Sequence, residues 1–182
     1  MTMEKTLRRL DSASLVLLLL WLGMALGFAA LMAPALFSML PSKDLAGRLA
    51  GVMVARLDIA AWIAFGGALI LSYGGRWLNE IQDASPIGPL RLWSATVLVA
   101  LLLTFSSTFL ATPKLHELRV QMNAPVESLP QDDARVQSYR KTHGLSTQFF
   151  FIRVILAAAL AWGLGSLPKV KQPEVRGTSY EG

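Results

Sequence analysis

From Ser12 to Ser42 the chain carries no charge, and that single stretch decides which solvent the fold must meet. A helix rises about 1.5 Å per residue, so roughly 20 apolar residues cross the hydrocarbon of a bilayer, and this stretch is longer. Three further apolar blocks follow, within Gly51 to Gly75, from Leu92 to about Thr112, and from about Ser146 to Leu167. Backbone amides in lipid have to be satisfied inside the segment, which makes each block a helix. The expected fold class is all-α, an integral membrane four-helix bundle. A basic tail (1–11) precedes a transmembrane domain (12–167) with spans at about 12–40, 51–75, 92–112 and 146–167, and a tail (168–182) follows. The first block exceeds the roughly 7 to 15 residues of a secretory h-region, so it is expected to stay as an anchor despite Lys5, Arg8 and Arg9 ahead of it.

Composition excludes several function classes. Hydrophobic residues make up 53% and charged residues only 16%, too apolar for a soluble domain of this length. The net charge is +5, but the Lys and Arg residues are scattered through every tail and loop, without the dense basic face that nucleic acid requires. Anionic headgroups are the expected partners of that charge. Lys and Arg are nearly balanced between the two sides, and the basic flank before the first span tips the expectation to cytoplasmic termini; the expected location is the bacterial inner membrane. Without cysteine, disulfides, thiolate metal sites and cysteine nucleophiles are excluded. No P-loop, dinucleotide fingerprint, nucleophile elbow or paired-carboxylate site is present, so neither an enzyme nor a cofactor is expected. His116-Glu117-Leu118-Arg119-Val120 begins like a zinc-protease helix, but Val120 stands where the second histidine must ligate. His116 and His143, with Glu117 and Met122, are the weak metal candidates; packing is the alternative role for His143.

The hydrophilic segment 113–145 is expected as an extramembrane loop. Its second half reads as an amphipathic surface helix: Ser128 as cap, Pro130 in the first turn, Asp132 and Asp133 at the positive dipole end, and Gly144 as terminator. Val136, Tyr139 and His143 would share a face. Small residues four apart, Gly23 and Gly27, Gly51 and Ala55, Ala60, Ala64 and Ala68, Ala159 and Gly163, suit close helix packing within one bundle or in a homo-oligomer.

Charge interrupts two spans. Arg153 must lie within the membrane, because a fourth span starting after it would have only about 15 residues before Pro168. Arg56 and Asp58 are about 200° apart around a helix, so one faces the bundle and one does not. The small residues beside Asp58 turn it inward, and the bulky neighbours of Arg56 turn that side chain to lipid, where it can snorkel. Counted from the surface opposite the termini, Pro34, Asp58, Ser106 to Thr108 and Arg153 all lie roughly 6 to 10 Å deep, so one polar layer can draw on all four spans. Asp58 and Arg153 either pair there or sit as interfacial charges with no shared role. The bulky face around Arg153, with Phe149, Phe150, Leu156, Ala157 and Leu160, suits lipid contact.

Two stretches carry a family likeness. Ala33-Pro34-Ala35-Leu36-Phe37 with Leu40-Pro41 and Ala46-Gly47, and then Tyr139-Arg140-Lys141-Thr142-His143-Gly144-Leu145-Ser146, resemble segments of the transmembrane protein 205-like family, in matching order over about Leu15 to Gly165. The resemblance implies a four-helix membrane protein with a large third loop, and draws attention to Pro34 and to the segment from His143 to Ser146. The functional expectation is binding or transport of a small solute or ion in a polar pocket lined by Asp58, Arg153, Ser107, Thr108 and Pro34, with His143 at its mouth. The alternative is an assembly factor acting through helix and loop contacts with partner membrane proteins.

Overall fold

A computed structural model describes residues 3–74 and 88–165. It is an all-α bundle, and four of its helical stretches are long and apolar enough to cross a membrane. The first comprises α1 (Met3–Gly27), a π-helical turn (Phe28–Met32) and α2 (Ala33–Met39). The second is α3 (Lys43–Ala68) with a π turn (Leu69–Tyr73). The third joins α4 (Gly88–Phe105), a π turn (Ser106–Ala111) and α5 (Thr112–Met122), and the fourth is α6 (Ala134–Gly165). The expected end of the second span at Gly75, the second loop and the C-terminal tail lie outside the described residues.

The stretches pack as a ring. The first lies against the second, the second against the third, the third against the fourth, and the fourth closes back on the first. The second and fourth therefore stand across a diagonal. Trp21, Phe65, Ala61, Ala157, Leu160 and Val97 fill the middle, each at most 3% exposed. Bulky residues such as Ile63, Leu102, Ile155 and Trp162 lie outside, as a lipid solvent allows.

Several boundaries differ from the sequence expectation, each for a physical reason. The basic tail is helical from Met3, continuous with the first span. Two of the π turns end just ahead of a proline at the second position of the next helix, Pro34 in α2 and Pro113 in α5. Proline lacks the N–H and crowds the carbonyl four residues back, so a wider turn ahead of it lets the helix continue. The third helix thus runs ten residues past Thr112, where a loop was expected. Glu117 supports its exposed face, accepting from Lys114 at 2.9 Å and Gln121 at 2.9 Å. Asn123, in the left-handed conformation at φ 46°, ends it.

The surface helix also differs. Ser128 closes a short 3-10 turn by donating to the Pro125 carbonyl, and Asp133 caps α6 by accepting the Arg135 amide at 2.8 Å. The helix runs straight through Gly144 into the fourth span, because turns on both sides of the glycine outweigh its cost of about 1 kcal/mol. The expected loop 113–145 is therefore a helical hairpin with only 123–133 as its connection. Among the small-residue pairs, Ala64 and Ala68 are buried, whereas a Cβ at Gly23, Gly27 or Gly51 would meet nothing within 4 Å. The close approach of the first and second spans falls instead at Gly67, where a Cβ would come within 2.9 Å of Leu17 Cδ1.

Candidate functional site

The face of α3 that turns inward carries Leu57, Asp58, Ala61, Ala64, Phe65 and Ala68, and Arg56 is exposed beside Val52, Ile59 and Ile63. On α6 the inward face is Phe150, Arg153, Ala157, Leu160 and Leu164. The bulky face read as lipid-facing is thus largely core. Aromatic and leucine side chains fill a bundle interior as readily as they meet lipid, so bulk alone does not separate the two.

Arg153 reaches across the diagonal to Asp58. Its Nη1 donates to Asp58 Oδ1 at 2.7 Å, and the two side chains are 1% and 2% exposed. The third span supplies the other oxygen's partners, since Ser107 donates to Asp58 Oδ2 at 2.7 Å and Thr108 contributes a long contact at 3.5 Å. Both lie in the π turn of the third span, whose wider turn brings consecutive side chains closer in direction than an α-helix would. Thr104, one turn earlier, donates to the Ala100 carbonyl at 2.8 Å and stands 3.4 Å from Arg153 Nη1.

The first span contributes Trp21. Its indole N–H donates to the Leu57 carbonyl at 3.0 Å, its ring packs on Phe65 with centroids 5.1 Å apart, and the guanidinium carbon of Arg153 lies 6.0 Å from the ring centre. All four spans therefore meet in one layer. Arg153 Nε is 3.4 Å from the Phe149 carbonyl, while Nη2, fully buried, has no hydrogen-bond partner among the described residues.

Two expected members lie elsewhere. Pro34 is exposed on the outside of the first span, and His143 is exposed on the projecting part of α6, about 15 Å along the helix from Arg153. Depth counted along a helix says nothing about azimuth. His143 stacks on Tyr139 with ring centroids 6.1 Å apart and 2° between planes. The Tyr139 hydroxyl in turn accepts from Arg119 Nη2 at 2.6 Å and Nε at 3.1 Å. A Cβ at Gly47 would fall 2.9 Å from that same Nη2, so the hairpin rests on the start of the second span. His116 is exposed on α5, and the described residues hold no group of three or more His, Asp or Glu placed to bind a metal. At the connecting end of the hairpin the Arg135 side chain holds Asp133 at 2.6 Å and pushes its carboxyl pKa down to about 2.

Trp21 and Thr104 were not singled out by the sequence reading. An indole in a leucine run looks like a lipid-facing aromatic, yet its N–H needs an acceptor wherever it is buried, and that requirement was the available signal. A second buried contact also went unread: Ser72 donates to Ser14 Oγ at 2.8 Å, and Ser14 to the Leu10 carbonyl at 3.0 Å, joining the first and second spans.

Residues 16–124, more than half of the chain, match a family model described as a domain of unknown function, DUF4149. The chain belongs to this family. The matched DUF4149 stretch holds Trp21, Asp58, Thr104, Ser107 and Thr108, while Arg153 and His143 lie beyond it. No curated protein and no solved structure matches the chain. Nothing in the comparisons links it to the transmembrane protein 205-like family.

Proposed function

We propose that this DUF4149 chain is a multi-pass membrane protein that binds a small solute or ion at the layer between its spans, with or without passing it across the bilayer. The observation that carries the reading is the complete burial of Asp58 and Arg153. Replacing such a pair with apolar side chains is often neutral or stabilising, so stability alone explains its presence poorly. Ionisable residues inside membrane bundles mark ligand and ion pathways. The reading is non-catalytic, places the protein in the bacterial inner membrane with cytoplasmic termini, and gives its basic residues anionic lipids as partners.

The test uses the absence of cysteine in the chain. Single cysteines in place of Asp58, Ser107, His143 and Arg153, challenged with a small charged thiol reagent, should show water access at the layer. Mass spectrometry of the purified protein should find a co-purifying small molecule that the Asp58→Asn variant loses. Unreactive layer positions, with unchanged ligand content and unchanged growth under solute stress, would overturn the reading.

The projecting hairpin favours a second reading, an assembly factor. Its exposed polar residues, among them Gln121, Gln137, Arg140 and Lys141, offer a surface to a partner membrane protein or a second copy of the chain. That reading predicts a co-purifying protein lost when residues 130–143 are replaced. The likeness to the transmembrane protein 205-like family belongs with these proposals, resting on its two short motifs.

A further inference from the structure

The outer face of the second span is an exposed apolar stripe broken once. Leu45, Val52, Ile59, Ile63 and Ile70 recur on it at helical spacing and are all exposed, and Arg56 stands among them, exposed as well. From position 45 to position 70 the stripe is about 37 Å long, against a hydrocarbon thickness of about 30 Å. Arg56 lies about 16 Å from the Leu45 end, beside the hairpin, and about 21 Å from the Ile70 end. Wherever the hydrocarbon is set along the stripe, the backbone of Arg56 is therefore about 9 to 16 Å inside its hairpin-side edge.

A charge at that depth requires compensation. Arg56 makes no hydrogen bond or ion pair among the described residues. The acids of its own helix are taken, since Asp58 holds Arg153 at 2.7 Å on the inward side and Asp44 holds Arg48 at 2.7 Å. A second copy offers the same acids, and the one at this depth, Asp58, is buried. Water hydrates a guanidinium without neutralising it, and free phosphate loses its hydration on an apolar stripe. A lipid phosphodiester is anionic, accepts the parallel N–H bonds of the guanidinium fork, and brings acyl chains that cover the flanking isoleucines. The flexible stem of Arg56 climbs only part of the way, so the headgroup has to come down, and local thinning is a recognised response to an arginine in a bilayer.

We propose, resting on the reading of the chain as a membrane protein, that Arg56 is a phospholipid site. It holds the phosphodiester of one lipid from the hairpin-side leaflet and draws that headgroup into the bilayer beside the second span. The bilayer is then thinnest next to the charge layer, because Arg56 and Asp58 differ in height by only about 3 Å. The site needs no solute in that layer.

The test uses the full chain, with arginine carbon-13 labelled at Cζ, in bilayers of phosphatidylethanolamine and phosphatidylglycerol without inorganic phosphate. Carbon–phosphorus dipolar recoupling in solid-state NMR should place a lipid phosphorus within about 5 Å of Arg56 Cζ, as charge-assisted N–H bonds to phosphate oxygens require. The Arg56 resonance is identified by its loss in Arg56→Gln, a change on an exposed side chain that leaves the fold in place. In native mass spectrometry, occupancy of the most tightly held phospholipid should fall at least about tenfold in that variant, the ratio one charge-assisted hydrogen bond supports. Arg140→Gln on the hairpin should leave it unchanged. In maltoside micelles with inorganic phosphate the carbon–phosphorus contact should vanish; its persistence would make free phosphate the ligand and overturn the lipid assignment. No contact in bilayers, or equal lipid retention in Arg56→Gln, would overturn the proposal as well. A spin label on a cysteine replacing Ile63 tells the two failures apart. If oxygen dissolved in lipid relaxes it but no phosphorus lies near Arg56, the phosphate site alone fails; if oxygen does not reach it either, the membrane reading fails too.

Discussion

Replacing Asp58 with leucine removes the 2.7 Å ion pair to Arg153 and the acceptor of Ser107 in one step. The guanidinium is left 1% exposed, with the 3.4 Å approaches to Thr104 and the Phe149 carbonyl as its remaining polar contacts. Breaking a buried pair from one side costs about 3–5 kcal/mol, because the surviving charge is stranded, and Arg153→Met should cost a similar amount from the other side. The double variant Asp58→Leu/Arg153→Met strands neither. It should lie within about 1 kcal/mol of the native chain, the residue being the Ser107 hydroxyl, which can turn to a carbonyl one turn back as Ser106 does at 2.9 Å. The four proteins form a double-mutant cycle whose coupling, on these figures, is at least about 5 kcal/mol. Reversible unfolding in bicelles by steric trapping measures all four in a lipid environment. A double variant as unstable as the sum of its singles would refute the argument that the cost of each single change is a stranded charge.

Trp21→Phe keeps an aromatic ring against Phe65 but deletes the N–H to Leu57, and should lower stability by about 1 kcal/mol in the same unfolding assay. Tyr139→Phe removes the acceptor for Arg119 and should speed amide hydrogen exchange in residues 112–122 without changing it around Asp58; uniform exchange across the bundle would count against a local seam. The Asp133 carboxyl is pushed from 3.8 to about 2, chiefly by the Arg135 side chain, so its hold on the start of α6 is complete above 3.8 and lost as pH falls through about 2. The Arg135 amide resonance should titrate with that low midpoint, and a midpoint near 3.8 would refute it. A spin label on a cysteine replacing Arg56 should be mobile and accessible to oxygen dissolved in lipid, whereas one replacing Asp58 should be immobilised.

The charge layer was legible for a thermodynamic reason. A charge inside a bilayer needs compensation, so Asp58 and Arg153 stand out in any apolar sequence, and depth arithmetic brings Ser107 and Thr108 to the same level. Azimuth was legible only where small and bulky residues segregate, as around Asp58, and failed where both faces are bulky, as around Arg153. Pro34 and His143 share an interval of chain with the layer, but not a direction. The helical run through Pro113 and Gly144 was hidden because polar composition, proline and glycine all suggest a loop. In the fold, π turns and side-chain pairs carry the ladder onward. Trp21 was hidden by its leucine surroundings.

The diagonal brace between the second and fourth spans also sets an order of biosynthesis. Asp58 leaves the ribosome 95 residues ahead of Arg153, an interval of about 5 to 20 s at ordinary elongation rates. Throughout that time the carboxylate is without the arginine it pairs with in the finished bundle. Ser107 and Thr108 emerge midway, 49 and 50 residues after Asp58, and can cradle the acid while the last helix is still being made. The second span is therefore the one whose insertion depends most on its successors. A chain arrested before Ser107 should hold that helix nearer the bilayer surface than one arrested between Thr108 and Arg153.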